Sequence, residues 1–276
     1  MSNNLIKILE KKSNIARQKI LRMTTECEGG HLAGSLSCID ILVAIYFKIL
    51  RHKPDNPDWV NRDRFILSKG HGAPAFYTVL AMCGYFPEDE LLTLRKINSR
   101  LQGHPDCKKL PGIEISTGSL GQGFSAAVGM ALGYWYDKKI DSRIYCLLGD
   151  GECDEGQVWE TAMFASSYNL KNITAIIDRN GYQIDGKTED VMKLEPLDLK
   201  WKSFGWEVKE IDGHNMNEIV DALEESRGRR VVVIAHTIKG KGVSFIENNN
   251  TYHSKPCNKK DCKKAITELC EKFELI

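Results

Sequence analysis

"RIYCLLGDGECDEGQVWETAMFASSYNLKNITAIIDRN", residues 143–180, holds the fold question in one stretch. It opens on a short apolar run at 143–148 and turns at Gly149-Asp150-Gly151. It then passes through helical apolar spacing at 156–170 and closes on a second apolar run at 173–178. Short apolar runs bounded by turn signals read as buried strands, and the segment between them has the length of a crossover helix. Two strands joined in this way lie parallel in one sheet with a right-handed crossover. Open parallel sheets place their ligands beyond the C-terminal ends of the strands, which is where Asp150 and Asn180 fall. If the strands are neighbours, a carboxylate and an amide oxygen emerge at one edge. Both are hard oxygen donors suited to Mg²⁺, which takes few protein ligands and fills its octahedron with phosphate oxygens and water. The glycines flanking Asp150 allow a sharp turn and a close approach of phosphate to main-chain amides.

Outward from this unit the same alternation continues. The N-terminal "MSNNLIKILEKKSNIARQKILRM" reads as an amphipathic charged helix without the apolar core of a signal peptide. Residues 37–50, 73–86 and 125–136 read as helices, the last two rich in Ala and aromatic residues and expected to be well buried; 85–96 also looks helical. Strands are expected at 64–68, 206–212 and 230–237, with a helix at 216–226. The pattern predicts an α/β fold, a three-layer αβα arrangement around a mostly parallel sheet. One domain is expected over 1–276, with 239–276 as a terminal loop and helix.

The 276 residues carry 38 basic and 37 acidic side chains, with no basic stripe or acidic tail, so neither nucleic acid nor a membrane is an expected partner. No apolar run stands out as long enough to span a bilayer, and a cytoplasmic location is expected. The nine cysteines are scattered without a C-x-x-C pair, which favours reduced thiols over a zinc site. Cys38 and Cys83 read as small core residues within helices. His214 and His236 read as structural, His236 as a satisfied core group in an apolar strand.

Two other glycine motifs compete for attention. "GYQIDGKT" (181–188) fits the phosphate-loop spacing after a strand, and so admits a nucleotide-binding module. The context is wrong, because Glu189 and Asp190 would face a polyanion and Pro196 would interrupt a helix begun at Lys187. "GHGAPA" (70–75) fits a dinucleotide turn but lacks the second strand ending in an acid that such a turn requires.

Gly-Asp-Gly followed after about thirty residues by Asn resembles the signature of thiamine diphosphate enzymes. "GGHLAGSLSCIDIL", "FILSKGHGAPAFY", "QGHPD", "ISTGSLGQGFSAAVGMALG", "WEVKEIDGH" and "HTIKGKGVSFIENNNTYHSKP" are further similar to segments of transketolase, in order along nearly the whole chain. The resemblance is to the diphosphate-binding domain at the start of that enzyme. It implies the thiamine diphosphate-binding fold, thiamine diphosphate as cofactor, and Mg²⁺ (or Ca²⁺ or Mn²⁺ in its place) held by Asp150, Asn180 and the carbonyl of Tyr182. The Gly151 amide would donate to a phosphate. His71 and His253 would contact the diphosphate, as imidazoles able to neutralise the anion near pH 7. His31 and His104, with His253, would hold sugar hydroxyls and move protons as the catalytic groups. Gly118 and Leu120 would meet the aminopyrimidine, and Glu155 and Glu160 would lie at a subunit contact linking paired active sites. Ser254 departs from the glycine that commonly follows the last histidine.

The resemblance also implies a two-carbon glycolaldehyde transfer between sugar phosphates, as in the pentose phosphate pathway. In the family a glutamate of a second, pyrimidine-binding domain activates the cofactor, and no second Rossmann-like block follows residue 240. The expectation is therefore the N-terminal subunit of a split transketolase. It would work with a separately encoded C-terminal subunit, as an α2β2 heterotetramer. The alternatives are a deoxyxylulose phosphate synthase-like enzyme, a transketolase for a specialised sugar, or a non-catalytic relic of the fold.

Overall fold

The computed structural model describes residues 3–138 and 141–274; the first two residues of the N-terminal amphipathic stretch and the last two of the terminal segment lie outside the described residues. Helices α1 (Asn3–Glu26) and α2 (Leu32–Ala44) lead into β1 (Arg64–Leu67) and α3 (Ala73–Met82). Then come α4 (Gln122–Tyr136), β2 (Ile144–Gly149), α5 (Gly156–Ser167) and β3 (Ile173–Arg179). A small excursion follows, made of β4 (Tyr182–Gln183), β5 (Gly186–Lys187), α6 (Thr188–Val191) and α7 (Leu197–Ser203). The chain closes with β6 (Glu207–Asp212), α8 (Met216–Glu225), β7 (Val231–His236) and α9 (Lys259–Glu274).

The main sheet has the order β1-β2-β3-β7-β6 and every pairing in it is parallel. Alternate side chains of each central strand enter different cores, as the two-residue period of a strand requires. Tyr145, Leu147 and Ile176 join α1, α2, α3 and α8 on one face. Cys146, Leu148, Ala175 and Ile177 join α4, α5 and α7 on the other. The three-layer αβα class is thus observed. Strands β2 and β3 pair Gly149 with Asp178, so Asp150 and Asn180 leave the sheet side by side.

Several expectations change. The window Leu32–Ile49 is long and apolar enough to cross a membrane, but 89% of it is buried inside the fold, because α2 is the central helix of one layer. Residues 85–96 form only a 3₁₀ segment, Glu88–Thr93, entered after Pro87 and ended near Arg95, whose φ is positive. Helix α3 is buried almost throughout, whereas α4 leaves Gly129, Gly133, Trp135 and Tyr136 exposed. Cys83 caps α3 at its C-terminal end and is half-buried. His236 is no core group: as the last residue of β7 it is exposed and pairs with Glu210 at 2.9 Å. His214 is structural as expected, with Nδ1 2.8 Å from Asp40 Oδ2 and Nε2 accepting from the Ile238 amide.

Candidate active site

A cavity of about 390 Å³ opens at the C-terminal end of the sheet. It gathers His31, His71, His104, His253, Gly118, Leu120, Asp150, Gly151, Glu155, Asn180 and Tyr182 from loops far apart in sequence. These are all the sequence-derived site residues but one. Glu160 does not line the cavity; it lies exposed on α5 beyond Glu155, which precedes that helix at its N-cap. A larger groove, about 630 Å³, lies at the N-terminal end of the sheet around Arg51, Asp63, Arg143 and Arg227, away from these groups.

Asp150 is buried where β2 ends, and its Oδ2 accepts from the Gly181 amide at 2.6 Å, across the neighbouring strand's turn. Burial, and then the nearby Asp178 carboxylate, push its pKa up to about 6. Arg179, 3.3 Å away, offsets this only in part, and a further cation beside the carboxylate would restore its ionised form. Among the described residues Asn180 Oδ1 accepts only the Tyr182 amide, at 3.1 Å, and keeps a second lone pair. The Gly151 amide, assigned to a phosphate by resemblance, instead points to the Asp150 carboxylate at 2.8 Å, the nearest acceptor in its own turn. Among the described residues no three His, Cys, Asp or Glu side chains gather as a metal cage. Asp150, Asn180 and Tyr182 line the cavity together, and their hard oxygens would suit a cation that brings further oxygen ligands with it.

The four histidines form one cluster. His31 lies with its ring centroid 5.3 Å from His71, 5.4 Å from His253 and 6.1 Å from His104, and His71 lies 5.8 Å from His253. Burial, reinforced by the charges of His104, Arg95 and Lys69, holds His31 down to about 4. Burial followed by Lys239 does the same for His253, while His71 is pushed well down by burial and Lys69. With no anion beside them these imidazoles are held toward the neutral form, and an arriving polyanion would raise them toward the charge the resemblance implies.

Groups with no motif of their own hold this array in place. Lys69 Nζ, fully buried, meets Asp178 Oδ2 at 2.5 Å and the Gly34 carbonyl at 3.1 Å; burial is the largest influence and opposes its charge, but Asp178, Cys38 and Asp150 together raise it. Lys239 reaches His253 Nδ1 at 3.0 Å and Asn250 Oδ1 at 2.7 Å, and burial lowers it to about 8. Glu152 is buried without a salt-bridge partner among the described residues. It accepts from the Gly121 amide at 2.8 Å, the Gly149 amide at 3.0 Å and the Ser68 hydroxyl, which ties the ends of β1 and β2 to the start of α4. At Gly70 and at Gly123 main chains touch directly. A Cβ on Gly70 would sit 2.7 Å from the Gly118 nitrogen, and one on Gly123 would sit 2.6 Å from Ser68 Cα.

Lys69 and Glu152 carry no signal in isolation, because Asp178 lies 109 positions from the one, and Ser68 and Gly121 lie 84 and 31 from the other; Lys239 meets Asn250 and His253 across the turn of a single loop. "GYQIDGKT" forms the β4–β5 hairpin, with Tyr182 paired to Lys187, rather than a loop feeding a long helix, so it has no phosphate cradle. The side-chain oxygen of Gln183, in that hairpin, is buried at the cavity wall with no partner among the described residues. An unsatisfied acceptor, a cation-hungry carboxylate, neutral imidazoles and two buried lysines together fit a Mg²⁺-bridged diphosphate.

The chain matches the family described as transketolase, thiamine diphosphate binding domain, over residues 10–273. It is 46% identical over 264 residues to the 6-deoxy-6-sulfo-D-fructose transketolase subunit SqwG of Clostridium sp. (strain MSTE9), covering 95% of this chain and 96% of that one. It is 40% identical over 272 residues to an apulose-4-phosphate transketolase subunit of Phocaeicola vulgatus, covering 98% and 96%. The crystal structure of transketolase from Campylobacter jejuni superposes with a TM-score of 0.90 at 33% identity, over 95% of this chain but 43% of that one. The chain thus spans nearly all of the subunit relatives and less than half of that transketolase.

Proposed function

The chain belongs to the transketolase family, through its thiamine diphosphate-binding domain, and from that premise we propose that it is the diphosphate-binding subunit of a two-chain transketolase. The observation that carries this reading is the convergence of Asp150, Asn180 and four histidines on one cavity at the C-terminal end of the sheet. The bound cofactor would supply a carbanion that accepts a two-carbon unit from a ketose and passes it to an aldose.

The chain's own residues divide the remaining work. Asp150, Asn180 and Tyr182 would hold Mg²⁺ against the diphosphate, with Lys69, Lys239 and His71 lowering the cost of burying that charge. His31, His104 and His253 would hold the sugar hydroxyls. As neutral imidazoles they can take or give a proton within the site, an effect of about 10²–10⁴-fold in comparable acid–base catalysis. The Gly118–Leu120 loop, clamped by Glu152, would fix the cofactor's ring.

A separate partner chain is supported by the full-length match to relatives named as subunits. The exposed side of α4 and α5 is apolar enough to meet other chains: Gly129 and Gly133 leave open space, beside exposed Trp135, Met163 and Phe164. Glu160 lies on the exposed side of α5, which supports the expected α2β2 contact. Nine free thiols favour a reducing, cytoplasmic setting.

A specialised ketose is the reading the subunit relatives favour, since by their names they are transketolase subunits for 6-deoxy-6-sulfo-D-fructose and for apulose 4-phosphate. The test is to combine the chain with its partner subunit, Mg²⁺ and thiamine diphosphate, and assay xylulose 5-phosphate, 6-deoxy-6-sulfofructose and apulose 4-phosphate as donors. Two-carbon transfer appearing only in the mixture supports the proposal. Full activity of this chain alone, or pyruvate as the only donor accepted, overturns it.

A further inference from the structure

The carboxylate assigned to the metal already has a resident cation beside it. Arg179 ends β3, and its side chain is 9% exposed. Its Nη1 lies 3.3 Å from Asp150 Oδ2 and donates to Thr188 Oγ1 at 2.7 Å. Its Nη2 donates to Glu189 Oε1 and Glu195 Oε1, both at 2.9 Å, and its Nε lies 3.3 Å from Glu195. One guanidinium is therefore shared among three carboxylates, one inside the cavity and two on the outer excursion. The inner contact is the loosest of the three. The outer glutamates are themselves fixed: Glu189 Oε1 accepts the Leu194 amide at 3.2 Å and Glu195 Oε2 the Leu197 amide at 2.9 Å.

A guanidinium and a divalent ion cannot share Asp150 Oδ2 without repelling each other, and the low-dielectric surroundings magnify that repulsion. We propose that Arg179 tunes the metal affinity of the site. Its charge opposes a divalent cation at Asp150, and Glu189 and Glu195 draw it outward so that the opposition stays partial. This rests on the assignment of Mg²⁺ to Asp150, Asn180 and Tyr182. Arg179 is a positioning and electrostatic residue here, with no contact to substrate. The excursion 188–197, remote from the sugar, becomes part of the metal's energetics.

The test titrates Mg²⁺ into the full chain at saturating thiamine diphosphate, read by intrinsic tryptophan fluorescence. Circular dichroism and Tm check the fold. Arg179→Met, which removes the charge and keeps the bulk, should lower the Mg²⁺ midpoint about tenfold. The double variant Glu189→Gln/Glu195→Gln frees the guanidinium to close on Asp150, and should raise the midpoint about threefold. General loosening of the site would weaken both, so opposite signs are diagnostic. If Arg179→Met does not fold, the double variant decides alone, since both glutamate side chains are substantially exposed, at 40% and 52%. Midpoints that stay put, or move in the same direction, overturn the inference while leaving the metal site standing. A native chain with no Mg²⁺-dependent signal overturns the metal site and the inference together.

Discussion

The two ends of the parallel sheet bury charge in opposite ways. At the N-terminal end Asp63, 2% exposed, is saturated: the Arg51 guanidinium lies 2.9 Å away, and the amides of Arg51 and Arg143 donate at 3.0 and 2.9 Å. At the C-terminal end Asp150 is pushed up to about 6, His31 and His253 down to about 4, and Lys239 down to about 8. Each of these shifts disfavours the charged form, so these cavity groups, unlike the neighbouring Lys69–Asp178 pair, are held ready for charge that comes from outside. Paired burial reads as architecture, and displaced burial reads as a binding site.

The contrast can be broken most directly at Asp150. Asp150→Ala should reduce Mg²⁺-dependent thiamine diphosphate affinity by more than about a hundredfold while Tm changes little, by calorimetric titration beside thermal unfolding. Its counterpart at the other end, Asp63→Asn, should behave inversely, losing about 3 kcal/mol in urea unfolding with cofactor affinity unchanged. If Asp63→Asn impairs binding as much as stability, the two ends are not separable.

A subtler change is Glu152→Gln, which sets an amide donor against the Gly121 or Gly149 amide without changing volume. Cofactor affinity should fall about tenfold through the displaced 118–121 loop. Glu152→Ala should do worse, and no loss in either variant would detach that loop from the site.

The smallest effect concerns pH. His31 and His253 fall from 6.5 in the unfolded chain to about 4 when folded. Between those values the unfolded chain binds more protons, so their contribution is complete above 6.5 and is lost as pH falls toward 4. The cofactor-free chain should lose a few degrees of Tm over that window, and His31→Asn should flatten the slope. A slope unchanged in His31→Asn and in His253→Asn would place the acid sensitivity elsewhere.

Much of this is readable from the sequence. The alternation of apolar runs and helical spacing yields the sheet, because buried parallel strands need continuous apolar residues. The 143–180 unit alone sets Asp150 beside Asn180. The histidines come from motifs whose meaning lies in resemblance, since nothing in the spacing of His31, His71, His104 and His253 predicts a cluster. What stays hidden depends on long-range pairing. Lys69 reads as an ordinary surface lysine until Asp178 is seen beside it, 109 positions away. Glu152 reads as one more acid in a wet turn until three donors close on it. Helices α3 and α4 look alike in composition, but only α3 completes its burial within the chain, and composition cannot report what lies outside. His236 defeats its apolar surroundings in the sequence because the last residue of a buried strand projects past the core it ends.

The contacts of Gly70 with the 117–118 main chain and of Gly123 with Ser68 carry a consequence for which substitutions the chain tolerates. Where backbone rests on backbone, even the methyl of an alanine would drive the turn after β1 away from the 117–123 segment. That segment brings Gly118 and Leu120 to the cavity, so Gly70→Ala or Gly123→Ala would disturb the cavity although neither glycine lines it.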